Sequence, residues 1–279
     1  MSNGSALSSW QISDAELSNA QFKKIASMLH EHCGIHMRQG KEGLVHARLA
    51  KRLRKLSIAD FDSYLTFVER DTTRIEFREM VDALTTNKTN FFREPAHFDF
   101  VRDNIIPTLG HSARFWSAGC ATGEEPYSLA MLLNESCSAV KLGDARILAT
   151  DISQRVLQLA ANGEYNAEAI ADVPADLQKR YWSEGSSGGS STFAAKATLR
   201  RLVNFARLNL MDQWPMHGPF DAIFCRNVMI YFDKETQQRL VERFWALLSP
   251  GGHLFVGHSE SLTGTSHQFD YVQPAVYVR

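Results

Sequence analysis

The sequence predicts an α/β protein, with an all-α N-terminal domain followed by a mostly parallel sheet carrying helices on both faces. Three observations carry this. Between Ser18 and about Thr85, apolar residues recur every three or four positions, which is the period of a helix with one buried face. From Arg114 onward the pattern changes to short apolar runs that alternate with helical stretches, and that alternation implies parallel strands joined by crossovers. The alternation breaks once, between Asp176 and Leu202, at a Gly/Ser-rich centre that cannot be a helix interior.

Residues 1 to 14 are polar and are expected to be unstructured. Four apolar stripes follow: Phe22, Ile25, Ala26 and Leu29; Val45, Leu49, Leu53 and Leu56; Phe61, Tyr64, Leu65 and Val68; Ile75, Phe77, Met80, Val81 and Leu84. They predict about four helices in a domain spanning 1–85, with Gly34 and Gly40 punctuating the first connection. An inter-domain segment, 86–110, leads to a second domain at 111–279. There the predicted strands are Arg114–Ala118, Arg146–Thr150, Val203–Arg207, Asp221–Cys225 and His253–Gly257. Helices are predicted at Glu125–Asn134, Ser153–Asn162 and Lys234–Leu248, and a closing antiparallel pair on either side of Pro274. The insertion at about 176–202 reads either as a flexible surface loop or as a hairpin-like appendage pairing Lys179–Ser183 with Thr192–Leu199.

Composition narrows the function. With 279 residues, 44% of them hydrophobic, the chain can bury a full core and more than one domain. A net charge of −1 supplies no global basic field for nucleic acid. The four cysteines are scattered and form no CxxC pair, which excludes a zinc site of the usual spacing and argues against a disulfide framework. The N-terminus has neither a basic nor an apolar region of the secretory kind, and no apolar run reaches the roughly 18 residues of a membrane span. These features predict a soluble cytoplasmic protein.

The strongest local motif is FWSAGCATGEEPYSLA, residues 115–130. A strand runs into Gly119 and Gly123, and Pro126 suits the first turn of the helix that follows. Such glycines let backbone approach a ligand, as in nucleotide-binding βαβ units. Glu124 and Glu125 would repel the pyrophosphate of a dinucleotide but fit the sulfonium and ammonium cations of S-adenosylmethionine. The alternative reading makes them ordinary first-turn acids, helped by the helix dipole at about 0.3–1 kcal/mol each. Asp151 ends a strand where acids of nucleotide-binding folds meet ribose hydroxyls; otherwise it is a solvated or capping acid, although Ser153 is the better cap. Arg226 and Asn227 stand at the carboxyl end of another strand, and the tetrapeptide Asn-Val-Met-Ile there lacks the prolines that amino-methylating enzymes carry at this point. TTNKTNFFRE, residues 85–94, is too aromatic for a plain linker.

Taken in order, TTNKTNFFRE, SAGCATGEEPYSLA, LATDIS, NFARLNLMD, FDAIFCRNVMIYFD and GGHLFVGHSE resemble the bacterial chemotaxis receptor methyltransferases, the CheR family. The match runs from about Ser18 to the C-terminus. The resemblance implies a helical domain joined to a Rossmann-like methyltransferase domain with a small β-subdomain. It implies methyl transfer from S-adenosylmethionine, leaving S-adenosylhomocysteine, to glutamate side chains of chemotaxis receptors, with no metal. By motif matching, Asn87, Thr89, Arg93, Gly119, Glu124, Asp151, Asn209, Leu210, Arg226 and Asn227 take cofactor-binding roles, and Arg93 and Tyr231 meet the substrate glutamate. Tyr231 has a plainer reading, as a core tyrosine beside Phe232.

The expected partners are the receptors' cytoplasmic methylation helices, reached by a monomer recruited to membrane arrays, with no nucleic acid and no membrane insertion. Arg48, Lys51, Arg52 and Lys55 belong to a run of seven basic residues between Arg38 and Leu56, opposed by Glu42 alone. That run is either a solvated face or a docking stripe for acidic receptor helices. In some family members the β-subdomain adds a receptor C-terminal peptide to a sheet edge, which makes the Gly185–Ser191 loop a candidate for the same role. Two rival readings remain at this level: a methyltransferase acting on nucleic acid or another protein, and a catalytically silent cofactor-binding adaptor.

Overall fold

The structure, a computed structural model, describes residues 16–110, 113–137, 142–187 and 190–279. The N-terminal stretch expected to be unstructured therefore lies outside the described residues, as do positions 188 and 189 in the glycine-bearing loop. The chain divides into two compact units between Thr85 and Thr86.

The first unit is four helices: α1 (Asn19–Cys33), α2 (Glu42–Leu56), α3 (Phe61–Arg70) and α4 (Ile75–Leu84). Their ends follow from local chemistry. Ser18 and Gln21 form a reciprocal capping box at the start of α1, and Gly34 closes it in the left-handed region. The Asp60 side chain accepts the Ser63 N–H and caps α3. Phe22, Ile25, Leu29, Val45, Leu49, Leu53, Phe61, Tyr64, Leu65, Val68, Phe77, Met80, Val81 and Leu84 are buried, so the stripes were read on the right faces. Ala26 and Leu56 are only half-buried, and Ile75 is 60% exposed at the first position of α4.

The cations of the basic run of α2 sit in different surroundings. Arg52 is not on a free stripe: its guanidinium donates to both carboxylate oxygens of Glu76 and, at 2.6 Å, to Glu79. Its side chain is 12% exposed, and Tyr64 donates a third bond to Glu76 at 2.9 Å. Arg48 donates to the carbonyls of Leu84 and Thr85 at 2.7 and 3.0 Å, occupying the open C-terminal end of α4. Both arginines lie one step from the apolar seam of α2, so they fall at the contact with α4 rather than in solvent. Lys51, Arg54 and Lys55 are the exposed cations of this helix segment.

The second unit opens with α5 (Pro95–Phe100), continued by a π turn and a 3-10 turn to Thr108. Then come β1 (Arg114–Ala118), α6 (Glu124–Ser136), β2 (Arg146–Asp151), α7 (Gln154–Asn162), β3 (Glu164–Asn166), α8 (Ala167–Ile170), α9 (Ala175–Tyr181), β4 (Trp182–Ser187), β5 (Ser190–Ala195) and α10 (Ala197–Arg200). β6 (Val203–Arg207), β7 (Phe220–Cys225), α11 (Lys234–Leu247), β8 (Leu248–Val256), β9 (Asp270–Gln273) and β10 (Val276–Val278) complete it. The main sheet runs β6-β2-β1-β7-β8-β10-β9. The first five strands in that order are mutually parallel, and β10 lies antiparallel to both neighbours. The chain builds outward from β1 to β2 and β6, then returns to build β7 and β8 on its other side. The reversal places a crevice beyond the carboxyl ends of β1 and β7.

Alternate residues of β1 face opposite layers. Phe115 joins a core with Phe98, Val101, Leu129, Leu133, Ile147, Phe224 and Phe255. Trp116 turns the other way, edge-on to Trp214 at 4.8 Å and to Phe244 of α11 at 5.5 Å. Helices therefore cover both faces, as the alternating pattern predicts. No helix of the described residues is long and apolar enough to cross a membrane.

The insertion is a three-stranded antiparallel sheet, β3-β5-β4, with β4 as an outer strand. The appendage reading holds, but the predicted pairing does not. Lys179–Tyr181 is helical, Trp182 pairs with Ala195, and the hairpin runs from there toward its tip. Pro174 starts α9 and Leu177 and Tyr181 lie four apart along it, so this stretch has a helical period. The third strand, β3, has only three residues and no apolar run to reveal it. Trp182 anchors the subdomain, with its ring 5.2 Å from Phe91, 5.3 Å from Tyr165 and 5.8 Å from Tyr127.

Candidate active site

The candidate site lies at the carboxyl ends of β1, β2, β6 and β7, within the second unit. The turn leaving β1 is held by β2: the N–H groups of Gly119 and Cys120 both donate to the Thr150 carbonyl, at 2.8 and 2.9 Å. Gly119 has φ +89° and sits against Val228, whose Cγ2 would be 2.4 Å from any added Cβ. Its lack of a side chain is thus required by packing as well as by backbone conformation. Ala121, at φ +48°, donates its N–H to Asp151 Oδ2 at 2.9 Å. The other oxygen of Asp151 accepts the Ser153 N–H at 2.9 Å. Ser153 caps α7, as its position suggests, so Asp151 is not the cap.

Glu124 and Glu125, adjacent in sequence, have different fates. Glu125 accepts from Ser117 Oγ at 2.7 Å and from Arg226 at 2.8 Å, so its charge is already paired. Glu124 is 7% exposed and has no ion-pair partner among the described residues; Thr122 Oγ1 donates to it at 2.7 Å. Burial pushes its carboxyl above the ordinary range.

Arg226 is the centre of the network. Its side chain is 2% exposed and its guanidinium donates to Glu125, to Glu94 at 3.0 Å and to the Arg93 carbonyl. Such use of the fork makes Arg226 an internal brace for the loop that carries Arg93. Glu94 in turn accepts the His258 backbone N–H at 3.2 Å. Arg226 holds the Glu94 carboxyl low, against the opposing effect of burial. His97, fully buried beside Arg226, is pushed down to about 4, first by burial and then by that positive charge.

Two bonds set the 91–94 segment on α6: Phe92 N–H donates to Ser128 Oγ at 3.0 Å, and that hydroxyl donates to the Glu124 carbonyl at 2.7 Å. Phe92 and Glu94 both take the left-handed conformation, at φ +52° and +58°. Between them Arg93 is half-buried, with its carbonyl held by Arg226 and its side chain making a 3.0 Å bond to the Lys88 carbonyl. Asn87 and Thr89 lie half-buried on the same approach.

Beyond β7, Asn227 takes φ +60°, and its N–H donates to Glu260 at 2.7 Å. Glu260 also accepts the N–H groups of Gly257 and Ile230, at 2.5 and 3.0 Å. Gly257 must be glycine, since a Cβ there would be 2.9 Å from the Asn227 backbone nitrogen. Tyr231 ends the 3-10 turn Met229–Tyr231 half-exposed, whereas Phe232 is buried, so the core-tyrosine reading falls to its neighbour. After β6, buried Asn209 binds Asp212 at 3.0 Å and the Met211 N–H, while the Leu210 carbonyl accepts from Arg243.

Gly119, Glu124, Asp151, Arg226, Asn227 and the Arg93 backbone are each held by hydrogen bonds at this end of the sheet, and together they frame the candidate site. The structure places Asn87, Thr89, Asn209, Leu210 and Tyr231 on segments around that frame. Sequence reading missed the framing roles of Glu94, Glu125 and Glu260. Glu94 and Glu125 stand at helix starts and Glu260 follows a strand end, positions where acids are too common to select without tertiary partners.

S-adenosylmethionine fits this donor set. A buried carboxylate without a cation is costly, and the sulfonium and ammonium groups of that cofactor would supply the charge Glu124 lacks. Asp151 stands at the end of β2 with its carboxylate tied to the turn after β1 and to the start of α7.

The comparisons agree with that chemistry. Residues 20–85 match the CheR methyltransferase all-alpha domain, and residues 87–278 match the CheR methyltransferase SAM binding domain. A probable chemotaxis protein methyltransferase of Rhizobium etli is 40% identical over 257 residues, covering 90% of this chain and 96% of its own. The chemotaxis protein methyltransferases of Klebsiella aerogenes and Escherichia coli are 40% and 39% identical over 262 residues, each covering 94% of this chain and 90% and 91% of their own. Both units are thus matched by models of one family: the chain belongs to the CheR methyltransferase family.

Proposed function

We propose that this protein transfers the methyl group of S-adenosylmethionine to glutamate side-chain carboxylates of chemotaxis receptors, forming methyl esters. The observation that carries the reading is Arg93, whose backbone is fixed by Arg226 while its half-buried fork makes a single side-chain bond among the described residues, to the Lys88 carbonyl. Such a fork is suited to a carboxylate. When bound, S-adenosylmethionine supplies an electrophilic methyl on a good leaving group.

The chain's own residues need supply little beyond placement. A glutamate with a pKa of about 4.3 is already ionised at neutral pH, so no general base is required. Arg93 holds one carboxylate oxygen and leaves the other to attack, and Tyr231 lies near enough in sequence to the Asn227 turn to donate at the reacting centre. Glu124 and Asp151 orient the cofactor through its cationic and ribose groups. Fixing two reactants in line is a large part of such catalysis.

Recognition of the receptor is assigned to two further surfaces. Lys51 and Lys55, exposed one turn apart on α2 beside Arg54, would meet acidic methylation helices. The outer strand β4 offers an edge to which a receptor C-terminal peptide can add a strand, raising the local concentration of receptor glutamates.

The test is labelled methyl transfer to receptor-containing membranes followed by mild base. Release of the label as methanol is expected for a carboxyl ester. Label that survives base on protein, or that follows nucleic acid, would displace this reading.

A further inference from the structure

His97 is the least explained side chain of the second unit. It is 0% exposed, and neither ring nitrogen has a hydrogen-bond partner among the described residues. Buried polar atoms are nearly always paired, so an orphaned imidazole calls for a ligand. Its Nδ1 lies 3.5 Å from Glu94 Oε2 without forming a hydrogen bond, and its ring is 4.9 Å from that of His258. One ligand atom from each of Glu94, His97 and His258 can be chosen so that all three lie within 4.8 Å of one another.

We propose that Glu94, His97 and His258 form a site for one divalent transition-metal ion of the zinc type. Two imidazoles and a carboxylate are ligands that such ions prefer over calcium or magnesium. Tetrahedral ligation at 2.0–2.1 Å places ligand atoms ~3.3 Å apart. The separations here therefore need a contraction of about 1.5 Å at most, and the His258 ring, which is exposed, supplies it by rotating inward. That exposure also gives the ion its way in and leaves a fourth position for water. His97 is fixed from behind by Phe255, 5.4 Å away edge-on, so one ligand is already oriented.

The site shares Glu94 with Arg226. An ion bound to Glu94 Oε2 competes with the guanidinium for the same oxygen and loosens the brace on Arg93. A consequence, which rests on the proposed transfer reaction, is that zinc slows methylation and a chelator restores it.

The site itself is tested without cofactor or receptor. Metal-free full-length protein is titrated with Co2+ and followed by visible d–d absorption, alongside His258→Ala and His97→Gln. The expected result is one Co2+ per chain, a nitrogen–oxygen spectrum without thiolate charge transfer, and affinity at least ten-fold weaker in His258→Ala. Because His258 is exposed, that variant keeps the test sound even if His97→Gln fails to fold. Unchanged affinity in His258→Ala, a thiolate band, or no binding by the wild-type chain would overturn the proposal. Slowed methylation with no spectral change would place the inhibitory metal elsewhere, and a site that binds without affecting methylation would leave the site standing and remove only its consequence.

Discussion

Each unit pairs one arginine with two glutamates, and the two arrangements have different outcomes. In the helical unit Arg52 joins Glu76 and Glu79, with Tyr64 completing the shell around Glu76. All the partners come from helices, and the network locks α2, α3 and α4 together. In the second unit Arg226 joins Glu94 and Glu125 but gives another donor to the backbone of Arg93. Its partners come from a strand end, a helix start and a left-handed turn, so the same chemistry shapes a loop. Close beside it, Glu124 is left without a counter-charge. A buried ion pair that only packs helices has every charge answered within the protein; one that builds a site has an unanswered charge next to it.

Removing the arginines breaks the comparison most strongly. Arg226→Ala strands Glu94 and Glu125 and Arg52→Ala strands the buried Glu76, while Glu79 stays solvated, so each is expected to destabilise its own unit, by about 3–5 kcal/mol for Arg226→Ala and less for Arg52→Ala. Only Arg226→Ala should also abolish methyl transfer in the fraction that remains folded. Chemical denaturation paired with turnover per folded chain separates the two. Equal turnover in both variants would mean that the brace does not position Arg93.

The pH response of Glu124 sharpens the comparison next. Its raised pKa means the folded protein without cofactor holds this proton to a higher pH than the unfolded chain does. Stability of that form therefore falls as pH rises through the interval between the two values. Cofactor affinity should move the other way, weakening as pH falls through the raised pKa and so at milder acidity than an ordinary carboxylate would give. Calorimetric titration across pH 4.5–7 checks this, and Glu124→Gln should remove the dependence.

Smaller effects are expected on the helical side. Asp60→Ala removes the cap of α3 and should cost about 1 kcal/mol in urea unfolding. Reversing the charge of Lys51 and Lys55 should raise the receptor concentration needed for half-maximal methylation several-fold, lose that effect in high salt, and leave cofactor affinity alone. A rate unchanged at low receptor concentration would remove the docking assignment.

The fold was largely legible because its signals are local. Phe115–Ala118 and Ile147–Ala149 are apolar runs bounded by glycine or charge, and Ser153 and Gly163 bracket a helix with ordinary caps. What escaped depends on distant partners. The three residues of β3 have no pattern without β5 beside them. Arg48 and Arg52 look like a solvated face until Glu76, Glu79 and the end of α4 are brought against them. Glu124 and Glu125 are equivalent in sequence, and only the position of Arg226, a hundred residues later in the chain, separates the paired acid from the unpaired one.

The most direct test of the account is Arg93→Ala, measuring the initial rate of methyl ester formation at saturating S-adenosylmethionine together with the dissociation constant of the cofactor. The account predicts a rate lower by about 10²–10³, the usual loss for one preorganised charge-binding group, with cofactor affinity nearly unchanged. Weakened cofactor binding with a normal rate at saturation would contradict it, and would make Arg93 a cofactor ligand rather than the residue that holds the substrate carboxylate.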